Sequence, residues 1–151
     1  MSADAYENPL TGRYASAEMS ALFSTRHKFA TWRRLWLWLA EAERELGLEV
    51  PEEALAALCG HLAPTDAELA AAARYERETK HDVMAQIHAL GDVAPAARPF
   101  LHLGATSAFV GDNADLLILR DALGLLERRA ARVLARLSAF AREHRGLACV
   151  R

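Results

Sequence analysis

Lysine is nearly absent from this sequence. Lys28 and Lys80 are the only two among eighteen basic residues, and twenty acidic residues balance them to a net charge of −2. Without a basic excess the chain has no electrostatic footprint for nucleic acid as its main partner. Cysteine is just as scarce. Cys59 and Cys149 stand far apart in no metal-ligand spacing, which predicts a reduced intracellular protein with no disulfide framework and no metal site. The longest apolar runs, Leu35–Ala40 and Leu116–Leu119, are far too short to span a bilayer. The N-terminus carries Asp4 and Glu7 and no apolar core, so it is not a signal peptide. These absences predict a soluble, cytosolic chain with no membrane partner. Strand signals are scarce too, the strongest being a short extended stretch over Phe100–Leu103.

What is present is helical pattern. At 151 residues the chain suits one domain-sized unit able to bury a sizeable core, and its alanine richness fits helix content. Residues 1–15 read as an irregular polar arm with turn signals at Asn8-Pro9 and Thr11-Gly12. Ser16 or Ser24 can cap the first helix after this arm. A helix is predicted from Thr25 to Leu46, stopped by Gly47, with Phe29, Trp32, Trp36, Leu39 and Leu46 at three- and four-residue steps. Leu35, Leu37 and Trp38 widen its apolar surface, so it needs more than one neighbour. Its three tryptophans read as core or interface filling. Pro51 opens a short helix ending near Gly60, and Thr65-Asp66-Ala67-Glu68 is a capping box for the next, which runs to about Arg77. Val83, Ile87 and Leu90 line one side of a further helix that Gly91 would stop, with Asp82 as an N3 carboxylate of a helix starting at Thr79.

Two polar stretches interrupt this scaffold. Lys80, His81 and Asp82 occupy a helix junction, and three consecutive helical positions point in three directions, so they cannot all serve one surface ion pair. His102-Leu103-Gly104-Ala105-Thr106-Ser107 is a glycine-punctuated break whose two hydroxyls, just ahead of a helix, suit an anion. Beyond Asn113, Leu116, Leu119, Leu123, Leu126, Ala130, Val133, Leu137 and Phe140 step alternately by three and four, an a/d heptad seam. Such a helix, from Asn113 to Arg145, is roughly 50 Å long. It needs other long helices to bury its stripe, and Gly124 in its interior hints at a close backbone approach. The expectation is the front part of a larger helical protein.

In order and spacing these motifs resemble the adenylosuccinate lyases of the fumarase/aspartase superfamily, in particular the animal-type enzymes. The likeness rests on Arg13-Tyr14 followed by Ser16-Ala17-Glu18-Met19, and on Lys28-Phe29-Ala30-Thr31-Trp32-Arg33 running into Leu35–Glu43. It continues through His81-Asp82-Val83-Met84-Ala85, His102–Ser107 and Val110-Gly111-Asp112-Asn113. It covers nearly the whole chain, to about Arg145, and residues 146–151 depart from it. Argininosuccinate lyases and fumarases share a Thr-Ser anion site, but the tryptophan-rich helix and the His-Asp-Val-Met-Ala run favour the purine enzyme.

The resemblance implies an all-α fold: residues 1–112 as an N-terminal helical domain, and 113–151 as the truncated start of a bundle of long helices. It implies a homotetramer with each active site drawn from three subunits, no metal and no cofactor. The implied reaction eliminates fumarate from adenylosuccinate, giving AMP, and from the succinylcarboxamide intermediate of purine synthesis. The family's base, a serine on a Gly-Ser-Ser loop, and its acid, a histidine, have no counterpart in this sequence. By similarity Arg13, Tyr14, Lys80, His81, Asp82, Thr106 and Ser107 bind substrate. Lys80 replaces a usual arginine, keeping the charge and losing the bidentate fork. On spacing alone Arg13 reads as an ordinary exposed arginine at the end of an arm; the resemblance reverses that. The alternative expectation is a non-catalytic product that associates with full-length subunits through its heptad helix.

Overall fold

A computed structural model describes residues 8–148; Asp4, Glu7, Cys149 and the last residues of the departing tail lie outside them. Every regular element among the described residues is helical, so the all-α expectation holds. The α-helices are α1 (Ala17–Leu22), α2 (Thr25–Glu45), α3 (Glu52–Gly60), α4 (Asp66–Thr79), α5 (Asp82–Val93) and α6 (Ser107–Glu143). A π-helical turn occupies Leu10–Tyr14 and a 3-10 helix Pro95–Phe100. No helix among them is long and apolar enough to cross a membrane.

The starts of these helices follow local chemistry. The hydroxyls of Ser16 and Ser24 each accept the N–H three residues on, opening α1 and α2. Thr65 and Glu68 form the full reciprocal capping box of α4. After α2 the chain turns through Gly47 at φ +98°, a left-handed conformation that a side chain would oppose.

Helix α2 is the axis of the core. It buries Thr31, Trp32, Arg33, Leu35, Trp36, Leu37 and Ala40, and packs on α1, α3 and α6. Trp32 and Trp36 meet edge to face at 6.3 Å and are nearly inaccessible, with Leu58, Leu90 and Val110 buried in the same cluster. Full burial of each such side chain contributes about 1.5–3 kcal/mol. Lys28 lies over the Trp32 ring at 4.8 Å, covering the end of this cluster. Helices α4 and α5 pack together, and the 3-10 segment binds them to α3.

Several expectations need correction. Trp38 is half exposed and Leu46 stands in solvent, because the apolar surface of α2 is wider than the neighbours that cover it. The stretch expected to be extended, Phe100–Leu103, ends the 3-10 helix and passes into a turn, with no strand among the described residues for it to pair with. Gly91 does not stop α5, which continues to Val93; a Cβ there would lie 2.7 Å from Arg98 Nε, so this glycine makes room for a crossing side chain. Within this chain a Cβ on Gly124 would meet only the Arg128 side chain, its Nη1 at 3.6 Å, so no other helix of the described residues approaches it there.

The largest correction concerns α6. It begins at Ser107, not Asn113, and runs to Glu143. Its buried residues are Val110, Ala114, Ile118, Ala122 and Leu125, a stripe different from the heptad seam. At 100° per residue the two stripes lie roughly a third of a turn apart. The inner stripe docks the first half of α6 on α2. Every leucine of the seam is exposed, and residues 126–148 are exposed throughout. Of the two apolar stripes on this helix, this chain covers one.

Candidate functional site

The junction between α4 and α5 is built by backbone strain and a histidine cap. Lys80 ends α4 at φ 54°, in the left-handed region, with its N–H donated to the Glu76 carbonyl at 2.8 Å. His81 is the N-cap of α5, its Nδ1 accepting the Met84 N–H at 3.3 Å. Nδ1 is therefore unprotonated, and the 3.9 Å approach of Asp82 Oδ1 to it is proximity without a hydrogen bond. Asp82 is the first residue of α5, not its N3 carboxylate, and takes the Val83 N–H at 2.8 Å. The helix begins later than expected because the imidazole supplies the cap that Thr79 was expected to provide. The Thr79 hydroxyl bonds back to the Tyr75 carbonyl instead.

The second part of the corner is the turn from Leu101 to Thr106. His102 and Gly104 both adopt positive φ, at 62° and 65°. Lys80 and His102 are the two non-glycine residues with positive φ among the described residues. Each such residue costs roughly 1–2 kcal/mol and persists only where its surroundings hold it. For His102 the hold is visible: buried Trp36 donates its indole N–H to Nδ1 at 3.1 Å. Burial, then the repulsion that a protonated His81 would exert, pulls the His102 pKa below its ordinary value, which favours the neutral ring.

Thr106 is the N-cap of α6 but its hydroxyl accepts no N–H from the first turn; its carbonyl takes the Phe109 N–H at 2.9 Å. The hydroxyls of Thr106 and Ser107 and the first N–H groups of α6 form an exposed donor surface with the positive end of a long helix dipole behind it. No hydrogen bond or ion pair among the described residues joins Thr106 or Ser107 to Lys80, His81 or Asp82. Arg13 and Tyr14 stand exposed on the π-helical turn and likewise share no such bond with the corner. All seven expected site residues are thus accessible, on three separate stretches of chain.

Three further residues shape this corner. His102 lay inside the break but had no role assigned to it. Trp36 reads as core in the sequence because a tryptophan at helical spacing usually is; its hydrogen bond to residue 102 has no local signal. Glu43, two turns beyond Trp36 on α2, lies under the same turn: a Cβ on Gly104 would sit 3.8 Å from its Oε1. Burial alone raises the Glu43 pKa, and its Oε2 is buried without a protein partner.

These stretches carry a lysine, two imidazoles, two hydroxyls and helix N–H groups, donor types of the kind that bind anions. No family model matches the chain. It is 50% identical over 145 residues to the adenylosuccinate lyase of Saccharomyces cerevisiae, which is 95% of this chain and 30% of that protein. It is 49% identical over 143 residues to the Schizosaccharomyces pombe adenylosuccinate lyase, covering 94% of this chain and 30% of that protein. For the Schistosoma mansoni adenylosuccinate lyase the figures are 44% over 145 residues, 96% and 30%. The chain therefore spans about 30% of the length of the relatives it matches. Over that span its sequence belongs to the adenylosuccinate lyase family.

Proposed function

We propose that this chain supplies the substrate-anion corner of an adenylosuccinate lyase acting in the cytosol. The reaction eliminates fumarate from adenylosuccinate, leaving AMP, and from the succinylcarboxamide intermediate of purine synthesis. A base removes the proton next to a carboxylate, the electron pair forms the carbon–carbon double bond, and the carbon–nitrogen bond breaks as an acid protonates the nitrogen. Lys80 and the imidazole of His81 face the substrate's negative charge, with Asp82 fixing the start of α5 beside them. Thr106 and Ser107 donate to a carboxylate or phosphate. Arg13, with Tyr14, brings a guanidinium fork suited to phosphate. The complete enzyme is a homotetramer in which other segments provide acid and base, with no metal or cofactor. The observation that carries this reading is the likeness to the fungal and schistosome lyases along nearly the whole chain. The two strained residues at the same corner support it.

Residues 8–148 grafted in place of the matching segment of the Saccharomyces cerevisiae lyase test it. The chimera is expected to form AMP from adenylosuccinate, and His81→Ala in the chimera to abolish that turnover. An assembled chimera that makes no AMP overturns the proposal. The chain alone binds without turning over, so purified 1–151 yields no AMP. Turnover by the chain alone, abolished by His81→Ala, overturns that corollary.

A second reading has one observation in its favour, the exposed seam of α6. In it the chain associates with full-length lyase subunits and alters their assembly. Mixing the two and measuring mass and activity separates the readings; no change in either counts against association.

A further inference from the structure

Trp36 is among the least accessible residues of the protein, at 1% exposure, yet its one polar atom is aimed at a turn on the surface. Its indole N–H can only donate, so the atom it meets, Nδ1 of His102, must be the unprotonated nitrogen of the ring. The rings cross at 76° with centroids 6.1 Å apart, consistent with an N–H directed at a ring nitrogen in an edge contact. A neutral imidazole has one proton, which then resides on Nε2.

We propose that Trp36 is a positioning residue that holds His102 as its Nε2–H tautomer and so keeps that N–H, on the ring atom not engaged by Trp36, as an anion donor. This role rests on the proposed function of the corner. His81 is held in the same sense, its Nδ1 accepting the Met84 N–H, so both imidazoles keep their protons on Nε2.

The support comes from one face of α2. Trp36 holds the His102 ring, and Glu43, seven residues on, lies beneath Gly104. Both residues of the turn that they touch have positive φ. The bond from Trp36 offsets the cost of that backbone at His102, and the turn in turn aims the ring. The titratable group that bears on this imidazole is His81, from the α4–α5 junction, while Glu43 of α2 lies near Gly104, two residues on. Donation to Nδ1 favours the neutral ring, because protonating that nitrogen requires the Trp36 bond to break.

The test is nitrogen-15 NMR of the histidine rings in the 1–151 chain, with no substrate present, so failure to bind substrate does not affect it. His102 is expected to show an unprotonated Nδ1 and a protonated Nε2 near neutral pH. The Trp36 indole proton is expected to shift as His102 titrates. In Trp36→Phe the single tautomer is lost and the His102 midpoint moves up, while His81 keeps its own pattern. An Nδ1–H tautomer in the wild type overturns the proposal, as does an unchanged tautomer in the variant. Where Trp36→Phe does not fold, the wild-type indole resonance decides: a flat response through the His102 titration overturns it.

Discussion

Arg33 of α2 and Glu68 of α4 form a buried ion pair, Nη1 to Oε1 at 3.1 Å, with both side chains almost wholly removed from solvent. The same Nη1 donates to the His61 carbonyl at 2.7 Å, and Glu68 Oε2 receives the Thr65 N–H at 2.6 Å. One carboxylate thus neutralises a core arginine and closes the cap of α4. The pair ties the helix that ends at Lys80 to the axis of the core.

Glu68→Ala leaves the guanidinium charged and uncompensated, since Arg33 Nε and Nη2 have no protein partner. Breaking such a pair costs about 3–5 kcal/mol. Urea unfolding followed by tryptophan fluorescence is expected to show that loss. Replacing both residues with apolar ones of similar volume costs less than either single change.

Two glutamates give stability opposite pH dependences. Burial alone would raise the Glu68 pKa, but hydrogen bonds from Thr65 and the Arg33 charge outweigh it and hold the value low. Its contribution is present above the unfolded value of about 4.3 and is lost as pH falls through the lower folded value. Glu43 is raised by burial. Its contribution is present below about pH 4.3 and is lost as pH rises through the raised folded value. Stability measured against pH is expected to flatten on the acid side in Glu68→Gln, and to lose its decline above pH 4.3 in Glu43→Gln.

Gly91 and Arg98 are expected to be coupled. In Arg98→Ala, a Gly91→Ala substitution gains about 0.5–1 kcal/mol from helix propensity. In the wild type the new Cβ must displace the Arg98 side chain and its 2.9 Å pair with Asp92, so the gain shrinks or reverses. A double-mutant cycle by thermal unfolding reads the difference.

The seam of α6 makes a separate prediction, because its residues bury nothing within the chain. Val133→Glu with Leu137→Glu is expected to leave the unfolding of the tryptophan core unchanged within about 0.5 kcal/mol. The same pair abolishes concentration-dependent association in sedimentation experiments. A large loss of intrinsic stability would show that the seam is not free.

Helix positions were legible because their signals are local. Ser16, Ser24 and the Thr65–Glu68 box sit three residues from the N–H groups they satisfy, and Gly47 follows α2 directly. The α4–α5 junction was read only in part: Thr79 looked like the cap, and an imidazole took its place. His102 was visible as part of a break but not as a group with a partner. Neither its left-handed backbone nor its bond to Trp36, 66 residues away, leaves a periodic trace.

By itself the sequence determined the all-α class, the apolar wealth of α2, the caps and the heptad seam, since each depends on spacing within one helix. Tertiary structure decided which stripe of α6 this chain covers. It chose Val110, Ala114, Ile118, Ala122 and Leu125 over the seam, because those residues face α2 when Ser107 starts the helix. It also brought Trp36 and Glu43 of α2 to the turn that carries His102 and Gly104. Such a meeting depends on how α2 and the turn after the 3-10 helix pack in space, and spacing along a chain does not contain that distance.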